Sequence, residues 1–478
     1  MWWFSSRPAW ARIRLFAWVA TGALATTAGA QTNDSRETAA PGGPKVPTES
    51  SAPREPRAPG VPAVRGGVAA AGGAADRNAL TAIEPTGSLT LAAAIRAALR
   101  GNPDLAASAY DIKAADARIE QARLRLNPEL AVELENFAGS GETRSAHSLE
   151  TTLRLSQVIE LGNKRALRES AATSSHDFVI VARQAQQLDV LATVTQRYID
   201  LAAAQEHVNL AINTREIAQR TADAISARVQ AARSPEAERS RANIALIRAN
   251  IEERQAQSEL RSARLALAAV WGGTEPSFDG VSADLFAIEP IEAFENLVAR
   301  LERNPDFVRF ASEGRLRDAE LRLARAQARP NLTFAAGIRR LNVSNDTALV
   351  AGFSMPLQIF DRNQGNVREA EVRLAQNDVA RRAAFLRARA TLYGLYQELL
   401  TSRNRMQTLR TDALTQAQRA LEQTQFGYDR GRFSYLELAT TQQDVLDIRA
   451  AAIDAAADAH RALAEIERLT GEPLAASE

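Results

Sequence analysis

The chain contains no cysteine, which removes disulfides, thiolate metal sites and cysteine nucleophiles together. Aromatic residues are only 5% of its 478 residues; with alanine abundant, close helix packing suits it better than a large mixed core. Neither sign of charge prevails, since 58 Lys+Arg stand against 57 Asp+Glu, and nothing in that balance points to nucleic acid or an acidic substrate. Beyond residue 86 no apolar run approaches the ~20 residues of a transmembrane helix. Methionine is scarce as well: after the initiator only Met355 and Met406 remain, so there is no ladder for soft metal ions. The four histidines (His147, His176, His207 and His460) fall on different predicted elements without a ligand-like partner at i+3 or i+4. No glycine-rich phosphate loop is present either, so no catalytic site, resident metal or cofactor is expected.

The first thirty residues have the pattern of a cleaved export signal. Arg7, Arg12 and Arg14 precede a short apolar stretch from Leu15 to Leu24, and Ala28-Gly29-Ala30 supplies a small-x-small cleavage pattern. Cleavage is expected after Ala30, and without a cysteine no lipid attachment is expected there. Residues 31–86, with stretches such as "PGGPKVPTESSAPREPRAPG", are too poor in apolar side chains to bury a core and read as a disordered leader.

A repeat organises the remainder. Asn102-Pro103-Asp104 recurs 202 residues later as Asn304-Pro305-Asp306, and Pro128 recurs as Pro330 at the same offset. Two repeats are expected, at 87–275 and 291–470, joined by a linker at 276–290 and followed by a tail at 471–478. After each of the two prolines the apolar period changes from 3.6 to 2. Leu130, Val132 and Leu134 alternate with Ala131, Glu133 and Glu135, and Leu149, Thr151, Leu153 and Leu155 alternate with polar neighbours. The second copy has Leu332, Phe334, Ala336 and Ile338, then Leu349, Ala351, Phe353 and Met355. Hairpins at 129–159 and 331–359 follow, with strands near the length at which a tilted strand crosses a bilayer.

Two rods accompany the hairpins. Lys164 to Arg233 holds no glycine or proline, and Asn366 to Asp429 holds no proline and only two glycines, Gly394 and Gly427. At ~1.5 Å per residue each reaches roughly 100 Å. Breakers at 232–237 ("ARSPEA") and 429–435 ("DRGRFSY") end them, and a returning helix follows each. A short helix and a returning helix together match one rod in length, so two shorter helices are expected end to end beside each long one. Gly162 and Asn163 mark the strand-to-rod junction of the first repeat. In the second, Pro356 ends strand pairing, and Asp361, Asn363 and Gly365 release the chain into the rod.

The expected fold is mainly α with a β-barrel part. Four strands are too few to close a barrel, and open sheet edges are not tolerated in lipid. Three chains would supply twelve strands over a tube of antiparallel helices.

"LTLAAAIRAALRGNPDL" and "YDRGRFSYLEL" resemble the opening helix and second helical tip of the TolC family of outer-membrane efflux factors. "LSQVIELGNKR" and "PLQIFDRNQGN" resemble most the branch that serves heavy-metal pumps of the resistance-nodulation-division type. The resemblance runs from about Leu89 to Gly471. It implies a homotrimer in outer-membrane lipid that reaches through the periplasm to an adaptor (membrane fusion protein) and a proton-driven inner-membrane pump. The implied cargo is a cation such as zinc, cobalt or cadmium. The sequence leaves open the same duct serving an organic-compound pump or type I protein secretion. Many relatives carry a lipidated cysteine that this chain lacks, so the barrel alone would hold it. Gly431 and Ser434 match the family's second tip, and Glu437 fits the first of two acids that ring the closed entrance, whereas Thr440 stands at the second. Glu437, Asp429 and Arg430 are therefore the candidate periplasmic gate. Ser234, Pro235, Glu236, Glu238, Gly431 and Ser434 are the candidate adaptor-docking tips.

Overall fold

The computed structural model describes residues 84–144, 146–290 and 292–471; the expected export signal, most of the leader and nearly all of the tail lie outside the described residues. The first repeat opens with β1 (Gly87–Leu89), α1 (Leu91–Gly101) and α2 (Pro103–Arg123). Strands β2 (Glu129–Glu135) and β3 (Glu150–Ile159) follow, then the long α3 (Lys164–Gln230) and the returning α4 (Glu236–Ala269). A short β4 (Phe278–Val281) lies between the repeats. The second repeat holds α5 (Phe294–Leu301), α6 (Pro305–Gln327), β5 (Leu332–Leu341), β6 (Asp346–Ser354), α7 (Gln364–Thr408), α8 (Leu414–Asp429) and α9 (Tyr435–Thr470).

The repeated Asn-Pro-Asp splices helices end to end. Asn102 Oδ1 accepts the Leu105 amide (2.9 Å) and so caps α2, while its Nδ2 donates to the Val270 carbonyl (2.7 Å) at the end of α4. Asn304 does the same in the second repeat. Its Oδ1 accepts the Asp306 amide (2.8 Å), and its Nδ2 donates to the carbonyls of Arg468 (2.7 Å) and Leu469 (3.0 Å) at the end of α9. One side chain thus satisfies an orphan donor of one helix and orphan acceptors of another, and the proline occupies the first turn, where its missing N–H costs nothing. Asparagine suits this because it carries both donor and acceptor.

Helix α3 is the centre of the packing, lying against α2 and α4 of its own repeat and α6 and α9 of the other. The main core lies along α3, α4 and α9, where Val194, Leu201, Leu267 and Ala456 are fully buried. Small residues on α9 (Ala455, Ala456, Ala457) are buried in that core and let the backbones approach closely. The second rod is not one continuous helix: a π segment, Leu409–Ala413, separates α7 from α8. Arg410, within that segment, stacks 4.2 Å over the Phe286 ring of the inter-repeat linker. The widened turn therefore lies where the linker docks.

The linker is also more structured than its composition suggests. β4 pairs in parallel with β1, and Tyr198 on α3 donates its hydroxyl to the Ser282 carbonyl (2.6 Å). Among the described residues no helix is long and apolar enough to cross a membrane.

Candidate functional site

The four long strands form one antiparallel sheet in the order β2-β3-β5-β6. Register carries each repeat's apolar alternation onto the same face. Leu130 lies opposite Leu155 and Val132 opposite Leu153; Leu153 lies opposite Ile338; Phe334 lies opposite Phe353. These side chains are exposed, Leu349 at 88%, Phe353 at 77% and Leu130 at 65%. The other face is polar and ion-paired: Arg154 meets Glu133, and Arg339 reaches Glu135 (3.3 Å), Glu150 (3.2 Å) and Thr152 Oγ1 (3.0 Å). A sheet that exposes apolar side chains and pairs its charges on the reverse is built for an apolar solvent outside and water inside. Both outer strands, β2 and β6, have a free edge.

At the strand-to-helix junctions Asn163 (φ 57°) and Asn363 (φ 59°) occupy the left-handed region and start α3 and α7. Gly162 has φ 78°, and a Cβ there would lie 2.6 Å from Arg329 Cδ. Buried Lys164 donates from Nζ to the Arg329 carbonyl and to Asn331 Oδ1, both 2.6 Å, and so fastens the first junction to the second repeat. In the second junction Asp361 Oδ1 accepts the Asn363 amide (2.8 Å), and Asn363 Nδ2 donates to Ala324 of its own repeat (2.7 Å). Pro356 follows the end of β6, and Gly365 sits in the first turn of α7.

The helical tips come together at the opposite end of the long helices. Tyr428 donates to Glu238 (3.5 Å), Arg228 lies 4.6 Å over the Tyr428 ring, and the rings of Tyr428 and Tyr435 meet edge to face at 6.5 Å. Ile225, Ala242 and Leu438 close a small buried cluster around them. Burial pushes both tyrosine hydroxyls up, and the Glu238 carboxylate adds to the effect. Of the candidate gate residues, Glu437 accepts the Ser434 amide (2.7 Å) and hydroxyl (2.9 Å) in a capping box at the start of α9. That amide, with the hydroxyl, holds its carboxyl below the usual carboxylate range. Asp429 accepts from Gln425 (3.1 Å), and Arg430 stacks 3.7 Å over Phe426. Glu236 pairs with Arg239, and Ser234 and Pro235 form the approach to α4. Gly431 takes φ 70° at its turn.

Residues 94–273 and 297–472 match the outer membrane efflux protein family. The chain belongs to this family. Among curated proteins it is 32% identical, over 81% of its own length and 91% of the relative's, to the cobalt-zinc-cadmium resistance protein CzcC of Cupriavidus metallidurans. It is 24% identical to the nickel-cobalt-cadmium resistance protein NccC of Alcaligenes xylosoxydans xylosoxydans, over 61% of this chain and 67% of that one. These names agree with the heavy-metal branch to which the junction motifs point. Among solved structures, CusC superposes with a TM-score of 0.69 at 18% identity, covering 82% of this chain and 96% of that one; at that identity the likeness concerns the fold.

Tyr428 and Tyr435 lie within the tip stretch "YDRGRFSYLEL" but, like Arg228, were not among the candidate site residues. The available signal was that two of only six tyrosines flank the "DRGRF" breaker. No histidine heads a metal cluster, and among the described residues no group of three or more His, Cys, Asp or Glu side chains converges. His207 meets Asp454 (2.9 Å), and His176 meets Asp116 (3.3 Å). His460 donates from Nε2 to the Leu285 carbonyl (3.0 Å), and burial pushes its imidazole down.

Proposed function

We propose that this chain is the outer-membrane channel of a three-part, proton-driven efflux system, a passive duct that passes heavy-metal cations such as zinc, cobalt or cadmium. The observation that carries the reading is the four-stranded sheet with an exposed apolar face, an ion-paired polar face and two free edges. Such a sheet is stable in lipid only when closed, and three copies close it as a twelve-stranded barrel. The helices support the same assembly. Val372, Val379, Leu386 and Tyr393 on α7 are exposed at intervals of seven, and Ile244, Ile247 and Ile251 are exposed on α4. Those are coiled-coil seams awaiting a partner helix.

In this reading the tips at 230–238 and 428–437 meet the periplasmic adaptor and close the entrance, with Glu437, Asp429 and Arg430 at its mouth and the inner-membrane pump beyond. The duct itself needs no metal ligands, because a water-filled passage only has to let hydrated cations through. An export signal ending at Ala30 would deliver the chain, and the barrel alone would hold it. The test is growth of a deletion strain against graded zinc, cobalt, cadmium, nickel and copper, with hydrophobic antibiotics alongside. Sensitivity to a subset of the metals, restored by the intact gene, is the expected result. Sensitivity to the organic compounds alone would overturn the cargo and keep the duct.

A further inference from the structure

The apolar alternation of β6 does not stop where the strand stops. Pairing with β5 ends at Ser354, but Met355, Leu357 and Ile359 continue the odd-numbered apolar positions of Leu349, Ala351 and Phe353. Leu357 is 75% exposed and Ile359 62%. β5 offers this tail nothing, because it begins at Leu332, directly after Pro330 and Asn331. Pro356 can turn its missing N–H toward that vacant side without losing a ladder bond.

Resting on the trimeric barrel of the proposed function, we infer that Met355–Leu357, just before the turn that the Ile359 amide closes on the Leu357 carbonyl (3.0 Å), is the unpaired lower end of β6, and that it pairs with β2 of the next copy, Leu357 facing Leu130. Barrel geometry requires the displacement. Strands about 4.8 Å apart and tilted by about 35–45° must slip by about four to six residues for every four strands. The level row through one sheet is Leu134, Thr151, Arg340 and Thr347. Without slip, Thr347 would therefore meet Leu134 of the partner subunit. A slip of six toward the helices sets Phe353, Met355 and Leu357 against the partner's Leu134, Val132 and Leu130. The slip is even, so both apolar faces stay on one side. A slip of four would oppose Leu134 with Ala351 and leave the large side chains mismatched. Slip in the other sense would set Phe353 against Ala122, which lies inside α2 and has no strand edge to offer.

The apolar height agrees. Leu349 to Phe353 spans four residues, about 13 Å along a strand and ~10 Å after tilt, whereas Leu349 to Leu357 spans eight, about 26 Å along it and ~20 Å after tilt. Lipid-facing bands of outer-membrane barrels are about 25 Å tall. Without the tail the band reaches less than half of that height.

The chain has no cysteine, so a pair can be introduced without background. Leu130→Cys with Leu357→Cys, in the full-length protein extracted from outer membranes, is expected to give a covalent trimer on oxidation or with a short bismaleimide. Each single variant stays unlinked. Linkage of Leu130→Cys with Ala351→Cys instead overturns the slip. If neither pair links while native mass still gives a trimer, the six-residue slip that sets Leu357 against Leu130 is wrong and the trimeric reading stands. A monomer by native mass would remove both.

Discussion

At the tip of the first repeat the chain turns through Ala232 (φ 56°) and enters α4 from Pro235, whose side chain caps nothing; at the corresponding place in the second it turns through Gly431 (φ 70°) and enters α9 from Ser434 in a capping box with Glu437. Glu238 and Glu437 hold the same position in their helices, three residues after the cap. Pro235 has no N–H, so Glu238 cannot close a capping box, and its carboxylate accepts the Tyr428 hydroxyl of the other repeat instead. At the sheet end the same asymmetry returns. Lys164 of the first repeat reaches across to Arg329 and Asn331, while Asn363 of the second binds its own α6. The first repeat thus reaches across to its sister at both ends, while the second closes on itself at both, so duplicated elements stay in register without matching residues.

The strongest way to break this comparison is at the splices. Asn304 is 1% exposed and makes three hydrogen bonds, whereas Asn102 is 7% exposed and makes two. Asn304→Ala leaves buried donors and acceptors unpaired at two helix ends, and should cost about 2–4 kcal/mol; Asn102→Ala should cost about 1–3. Thermal unfolding in detergent measures both. Equal losses would mean that the third bond contributes nothing and that the splices are interchangeable.

The splices also mark how far the sequence could be read. A mostly helical chain with strands was legible because the signals are local: Asn-Pro-Asp starts, prolines where the period changes from 3.6 to 2, and long stretches without breakers. β1 and β4 were not legible, since runs of three and four residues carry no period and their pairing has a register shift. Nor was the π segment, whose Arg410 stacks on Phe286 of the distant linker. At the tips, Ser434 and Glu437 show the capping box in sequence, but the Arg228–Tyr428–Glu238 contact joins residues 190 apart, beyond the reach of any pattern.

The junction glycines separate the repeats further. A Cβ on Gly162 meets both an unfavourable φ and the Arg329 side chain at 2.6 Å, while one on Gly365 meets nothing within 4 Å. Gly162→Ala should destabilise by about 1–3 kcal/mol, combining left-handed strain with the shift forced on Arg329. Gly365→Ala should stabilise by about 0.5–1 kcal/mol through helix propensity. Urea midpoints of the two variants read the difference directly. A loss in both would indicate that the second junction needs backbone freedom that its helical conformation does not reveal.

The smallest and most local comparison lies in the turns themselves. Ala232 occupies the left-handed region at a cost of about 1–2 kcal/mol that glycine avoids, less the extra entropy that glycine loses on folding. Ala232→Gly should therefore stabilise the first tip by about 0.5–1 kcal/mol, and Gly431→Ala should destabilise the second by a similar amount. Both turns close with the same pair of backbone bonds. Ala232 donates to Val229 (2.9 Å) and Arg233 to Arg228 (2.8 Å); Gly431 donates to Tyr428 (3.0 Å) and Arg432 to Gly427 (2.8 Å). Amide hydrogen exchange at those donors is the appropriate readout, since changes this small at a chain reversal will barely move a global midpoint. Opposite shifts of similar size would show that the turns are equivalent and that only the side chain at one position differs. Shifts in the same direction would mean that the Tyr428–Glu238 contact, rather than turn strain, governs opening of the tips, and that the two turns are mechanically coupled.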